Sequence, residues 1–106
     1  NYVRIQALRE LGYKALWTYD QEIQGKASRF DVSLAIAMAK SVAPIWSFEA
    51  INDVMQWQGA FGYSKECEDQ KAWRGVRSFT LAEGSSEIMK LIIARELLGK
   101  EFLAYR

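Results

Sequence analysis

The sequence predicts an all-α fold, a helical bundle of about four helices within a single domain. Three observations carry that expectation. Apolar residues recur at three- and four-residue spacings over long stretches. Helix breakers are few, with one proline and seven glycines in 106 residues. No stretch alternates apolar and polar residues as a half-buried strand would.

The first helix is expected from about Tyr2 to Ile23. Ile5, Leu8, Gly12, Ala15, Leu16, Tyr19 and Ile23 share helical spacing, which predicts one buried stripe. Gln24-Gly25-Lys26 is the stop signal. The second helix is expected from about Phe30 to Trp57, with Val32, Ala35, Ile36, Ala39, Ala43, Ala50 and Val54 in register. Ser28 or Asp31 is placed to cap its start. Its alanines allow a neighbouring helix to approach closely. Pro44 lies inside it, removes one backbone donor and is expected to kink it.

Gly59-Ala60-Phe61-Gly62-Tyr63 breaks the chain with two glycines. A shorter, more charged helix follows from about Lys65 to Phe79, then a second break from Thr80 to Gly84. The last helix opens at Gly84-Ser85-Ser86. A serine caps well there, and Glu87 suits the positive end of the helix dipole. Ile88, Leu91, Ile92, Leu97 and Leu98 are its apolar residues, with Gly99 as C-cap. The sequence has no repeat, linker or low-complexity segment.

Composition narrows the function. Half of the residues are hydrophobic and a quarter charged, as in ordinary globular domains. Fourteen basic and 13 acidic side chains leave a net charge of +1, too little to gather nucleic acid or anionic lipid. No apolar run approaches the roughly 20 residues of a bilayer span. The chain opens on Asn1-Tyr2-Val3-Arg4, with neither a methionine nor the layout of a secretory signal. It is expected to be a piece of a longer protein, residues 1–106 forming one domain. The single cysteine, Cys67, excludes an intrachain disulfide and points to a reducing setting, cytoplasmic or, in a eukaryote, the mitochondrial matrix. Glu66 and Glu68 flank it and oppose a thiolate, so it is not expected to be a nucleophile. The chain has no histidine, which removes the commonest general base and the commonest metal ligand. Acid–base chemistry falls to Asp, Glu, Lys, Tyr or Cys, and no metal site is expected. Trp17, Trp46, Trp57 and Trp73 are read as core or interface residues, and Arg74 as a structural salt-bridge residue.

The two glycine breaks carry more. Gln56-Trp57-Gln58-Gly59-Ala60-Phe61-Gly62-Tyr63 resembles the Q-x-x-G-G-x-G-[YF] segment of the acyl-CoA dehydrogenases. Arg74 falls where that family has the Arg of its R-D-A segment. Leu81-Ala82-Glu83-Gly84-Ser85-Ser86-Glu87-Ile88 is similar to the family's Y-E-G-T-[SA]-[EQ]-I, and Leu91 to Gly99 to its ending L-I-I-A-R-E-L-L-G. Ala39-Lys40 sits at the family's A-K pair. The gaps between blocks match without insertions, so the resemblance spans essentially the whole chain. It departs at three places: Ala60 for the second Gly, Ala82 for the usual Tyr, and Ser85 for Thr.

The resemblance implies the C-terminal helical domain of an enzyme that removes an α-proton and a β-hydride from an acyl-CoA thioester, with FAD as the hydride acceptor. It implies Glu83 as the catalytic base, although some branches carry the base on an earlier helix. It implies contacts to FAD from Gly84, Ser85 and Glu87, residues that also serve as helix caps. Gln56, Gly59 and Ala60 match the segment that contacts the FAD of a neighbouring subunit, with a tight interhelical turn as the other reading. Arg95 matches an Arg associated with CoA, or is a surface ion-pair residue. Ala82 and Glu83 border the acyl group. The implied partners are an acyl-CoA substrate, an electron-transfer flavoprotein as acceptor, and further copies of the chain in a dimer or tetramer. An alternative expectation is a non-catalytic helical module derived from the family that serves only oligomerisation.

Overall fold

The computed structural model describes residues 1–99 and Glu101. Among these there are five helices and no strand: α1 (Tyr2–Ile23), α2 (Arg29–Trp57), α3 (Ala60–Tyr63), α4 (Asp69–Ser78) and α5 (Ser86–Leu98). The all-α class is as expected. The extra helix, α3, is a single turn inside the first glycine break.

Local chemistry sets the ends of α1 and α2. Gly25 takes φ +72°, and its N–H donates to the Glu22 carbonyl at 2.8 Å while the Lys26 N–H donates to Gln21 at 2.8 Å. These two bonds make a Schellman closure. At the start of α2 the Asp31 N–H donates to Ser28 Oγ at 3.2 Å, and the Ser28 N–H donates to the Asp31 carboxylate at 2.8 Å. Both expected caps are therefore used, as a reciprocal box. The bonds from Ser28 hold the Asp31 carboxyl below the usual carboxylate range. Pro44 lies buried within α2, which continues through it for 29 residues. The missing proline N–H deprives the Lys40 carbonyl of its helical donor.

α2 is the hub. α1, α4 and α5 each pack on it, α3 folds back on its C-terminal end and touches α4, and among the described residues α1 meets neither α4 nor α5. α1 runs antiparallel to α2. Asn1 Nδ2 donates to Asp53 at 2.9 Å, and Arg4 pairs with Glu49. The arrangement is open, with a Cα radius of gyration of 16.7 Å, where a compact domain of this length has about 13 Å. The accessible surface is 7780 Å², against about 6,000 Å² for a globular monomer of this mass.

The buried residues are correspondingly small. Among the described residues they are Val32, Ala35, Ala37, Pro44, Gly62, Cys67 and Met89, with Thr18, Ser41 and Ser86. The alanines and Ser41 let the flanking helices close on α2.

The expected stripe on α1 is only partly the buried one. Leu8, Gly12 and Ala15 face α2 together with Leu11 and Thr18, but Ile5, Leu16, Tyr19 and Ile23 are exposed on an adjacent face. α5 repeats the pattern: Ser86 and Met89 are buried on α2, while Ile88, Leu91, Leu97 and Leu98 point outward. In both helices apolar residues cover two faces, and helical spacing alone does not choose between them. Ile36 of α2 is likewise exposed. Exposed apolar surface on this scale marks a chain that packs against other protein.

Two further expectations are corrected, the start of α4 and the ion pair of Arg74, while the tryptophans divide between the core and the surface left for an interface. α4 begins at Asp69, not near Lys65, because the Cys67 thiol is buried and donates to Gln58 Oε1 at 2.9 Å, which holds residues 64–68 as a loop. Trp17 and Trp57 lie on the surface, whereas Trp73 is half-buried with its ring 5.0 Å from that of Phe48. Arg74 is exposed and makes no ion pair among the described residues. α2 is long and apolar enough on average to span a membrane although Lys40 and Glu49 interrupt it, and here it is the central helix.

Candidate functional site

The segment between α4 and α5 presents Glu83. The N–H groups of Leu81 and Ala82 both donate to the Ser78 carbonyl, at 3.0 and 2.9 Å, so the chain stays tightly wound past the end of α4. Glu83 then takes φ +55° and Gly84 φ +90°, which reverses the chain into Ser85, the N-cap of α5. The Ser86 N–H donates to the Thr80 carbonyl at 3.2 Å and ties the start of α5 back to the turn. Glu83 is the one non-glycine residue with positive φ among the described residues. Such a conformation costs about 1–2 kcal/mol and persists only where the surroundings enforce it. The φ of Gly84 is itself one that a side chain would strain, and a Cβ there would also crowd the flexible end of Met89, 2.6 Å from Cε.

The exposed Glu83 borders a depression of about 380 Å³, together with Ser33, Ile36, Ala37, Lys40, Met89 and Ile92. Lys40 Nζ donates to the Ala82 carbonyl at 3.1 Å and also to the Phe79 carbonyl. Ala82 is exposed. Its N–H and carbonyl are both engaged while its methyl group is free of the depression.

At the start of α5, the Ile88 N–H donates to Ser85 Oγ at 3.4 Å. Glu87 is held below the usual carboxylate range by its own backbone N–H, then by the Ser85 hydroxyl, with smaller help from Lys90 and Arg77. That carboxylate already occupies the positive end of the helix, so the end suits a neutral hydroxyl better than a second anion. Beside it lies a groove of about 280 Å³ lined by Ile45, Phe48, Arg77, Thr80, Leu81, Ser86 and Glu87. Ser86 Oγ there is buried without a hydrogen-bond partner, in a residue only 4% exposed. An orphaned hydroxyl of this kind is a ready donor and acceptor for a bound group.

Gln56, Gly59 and Ala60 gather in a third depression, of about 330 Å³, with Asn52, Met55 and Tyr63. Gly59 has φ +61° and ψ −141°, which a side chain would strain. Ala60 has no such demand, since its φ is not positive and it is exposed. A methyl group is therefore tolerated where the resembled Q-x-x-G-G-x-G segment has its second glycine. Below the turn, Gln58 accepts from the Cys67 thiol and donates through Nε2 to Asp69 at 2.6 Å. These contacts brace the loop.

The expected site residues thus fall in three places rather than one, with Glu87 at the groove beside Ile45 and Phe48 between the other two. Glu83 sits over residues 33–40 of α2, and Gln56, Gly59 and Ala60 at its far end beyond residue 52. The helical rise separates the two by about 18 Å or more. A single ligand molecule touching both groups from one chain would have to be long, and the same residues from two chains would serve equally. Arg95 is part-buried and pairs with its neighbour Glu96, as the ion-pair reading expects. Lys40, Ser86 and Arg77 were not singled out as site residues. Only the A-K pair pointed toward Lys40.

An all-helical domain with a carboxylate on a strained turn and apolar faces left open is built to pack against further protein. The chain belongs to the acyl-CoA dehydrogenase family, whose C-terminal domain matches it over residues 1–98. It is 35% identical to glutaryl-CoA dehydrogenase of Desulfococcus multivorans over 97 residues, 92% of this chain and 23% of that protein. It is 36% identical to mitochondrial isobutyryl-CoA dehydrogenase of Bos taurus over 70 residues, 66% of this chain and 17% of that protein. It is 33% identical to cyclohexane-1-carbonyl-CoA dehydrogenase of Geobacter metallireducens over 95 residues, 90% of this chain and 23% of that protein. The chain thus spans about a quarter of the length of such relatives. No solved structure matches it significantly.

Proposed function

We propose that this chain is the C-terminal domain of an FAD-dependent acyl-CoA dehydrogenase and that Glu83 is its catalytic base. The observation that carries the reading is the Glu83 backbone. A carboxylate held at φ +55° and followed by a glycine is costly for a mere surface charge. The carboxylate accepts the α-proton of the thioester as the α,β double bond forms. FAD, when bound, accepts the hydride that leaves the β-carbon. Closure of the full active site over the Glu83 depression excludes water, which makes a carboxylate a stronger base. Gly84, Ser85 and Glu87 hold the FAD of the same subunit, for which the unpartnered Ser86 hydroxyl offers a further contact. Gln56, Gly59 and Ala60 meet the FAD of a neighbour in a dimer or tetramer, as the resemblance implies. Arg95 serves the CoA moiety, and an electron-transfer flavoprotein reoxidises the flavin. The reading is tested with the full-length protein: anaerobic mixing with an acyl-CoA bleaches the oxidised flavin, and no bleaching with any acyl-CoA refutes it.

Two expectations follow here. The chain alone, residues 1–106, should be helical and self-associating, with FAD binding weak or absent, because its apolar faces are open and its expected flavin residues lie in separate open depressions. Titration with FAD checks this, and submicromolar stoichiometric binding would sink it. The second concerns Ala82. The names of the relatives carry branched, cyclic and dicarboxylic acyl groups. In the full active site the acyl group reaches past the Glu83 depression to the exposed Ala82 methyl, where a small side chain leaves room for such bulk. Ala82→Tyr should shift the ratio of kcat/KM between a branched or cyclic acyl-CoA and a straight short one by about 1–3 kcal/mol toward the straight substrate. An unchanged ratio would mean that Ala82 does not set specificity.

A further inference from the structure

We infer that Lys40 is a positioning residue for Glu83: its ammonium clamps the turn that carries the carboxylate. The inference rests on Glu83 being the base. Lys40 lies on the hub helix, 39 and 42 residues before its two acceptors, Phe79 and Ala82. Phe79 is the C-cap of α4, and Ala82 immediately precedes Glu83. Helix C-termini leave carbonyls without intrahelical donors. A single ammonium, with three donors, satisfies two carbonyls of this turn at once.

The arrangement explains how the strained φ of Glu83 is held. On its C-terminal side the Ser85 cap and the Ser86-to-Thr80 bond fix the chain. On its N-terminal side the Ala82 N–H is tied to Ser78 and the Ala82 carbonyl to Lys40. Removing Lys40 leaves that carbonyl free, and the peptide between residues 82 and 83 is then free to turn. The left-handed state of Glu83 loses its enforcement, and the carboxylate loses its single aim. Lys40 is also the one cation among the residues bordering the Glu83 depression. Its two carbonyl bonds anchor it at the wall, toward the backbone of the turn. Its role is to aim the base and not to touch the reacting carbons.

The test uses the full-length flavoprotein with Lys40→Met, Lys40→Arg and Glu83→Gln compared side by side. Lys40→Met keeps the side-chain volume and removes all three donors. It should lower kcat by about 100-fold, the scale on which small misplacements act, with KM for the acyl-CoA and flavin content close to wild type. Lys40→Arg keeps the charge and the donors, and should recover kcat to within about tenfold of wild type. Amide hydrogen exchange should accelerate at Ala82 and Ser86 in Lys40→Met and not along α2. The inference is overturned if Lys40→Met keeps kcat within about twofold. It is also overturned if kcat falls together with flavin content and helicity and Lys40→Arg restores none of them, since Lys40 then only supports the fold. An active Glu83→Gln variant instead defeats the reading of Glu83 itself, whatever Lys40 does.

Discussion

Glu83→Gln in the full-length protein should lower turnover by about 10²–10⁴-fold, the usual contribution of a positioned general base. Flavin content should stay at the wild-type level. The amide is nearly isosteric with the carboxylate, so the turn at φ +55° and the Lys40 clamp have no reason to change. What is lost is the oxygen that accepts the α-proton. The decisive measurement is the rate of flavin reduction in a single turnover, because it isolates the chemical step from product release. A mutant that reduces its flavin at nearly the wild-type rate would place the base on another part of the protein.

Gly62→Ala should be among the most destabilising single-methyl changes available in this chain. A Cβ at residue 62 would lie 2.4 Å from the Met55 carbonyl oxygen and 2.9 Å from Met55 Cα. Both atoms are backbone, so no rotamer change relieves the overlap, and α3 must lift away from α2. Overpacking of this kind costs about 1–3 kcal/mol. Because Gly59, Ala60 and Tyr63 border one depression with Met55 and Gln56, the lifted turn should also weaken FAD retention. Gly12→Ala is the matched control: nothing lies within 4 Å of a Cβ there and the residue is inside α1. That change should be neutral or stabilising by up to about 1 kcal/mol. Thermal melts of the two variants check the pair, and equal melting temperatures would contradict the close contact at Met55.

The ends of the long helices were legible because they are local events. Gln24-Gly25-Lys26 and Ser28-x-x-Asp31 close and open their helices with bonds that span a few residues. The packing faces were not. Ile5, Leu16, Tyr19 and Ile23 have the same periodicity as the residues that meet α2, and they face outward because no second partner is present to receive them. The start of α4 was misplaced because it depends on Cys67 reaching Gln58, a tertiary contact that helix propensity does not contain. At the site, the Glu83-Gly84-Ser85 block was readable as a motif, and Gly84 announced a reversal. The positive φ of Glu83 itself had no signature in residue type. Nor had the role of Lys40, whose acceptors are backbone carbonyls some forty residues away and therefore carry no side-chain identity to read.

The hub arrangement of α2 also dictates how the parts of this chain communicate. α1 touches α2 and neither α4 nor α5 among the described residues. A subunit or domain that presses on the outer face of α1 thus has one route to the Glu83 turn within this chain, through the body of α2. Besides the packing of α4 and α5 on α2, Lys40 carries that route to the turn, because its backbone belongs to the shared helix and its ammonium binds two carbonyls of the turn. A small rotation or slide of α2 under an assembling neighbour is therefore delivered to residues 79–82 as a pull on two carbonyls.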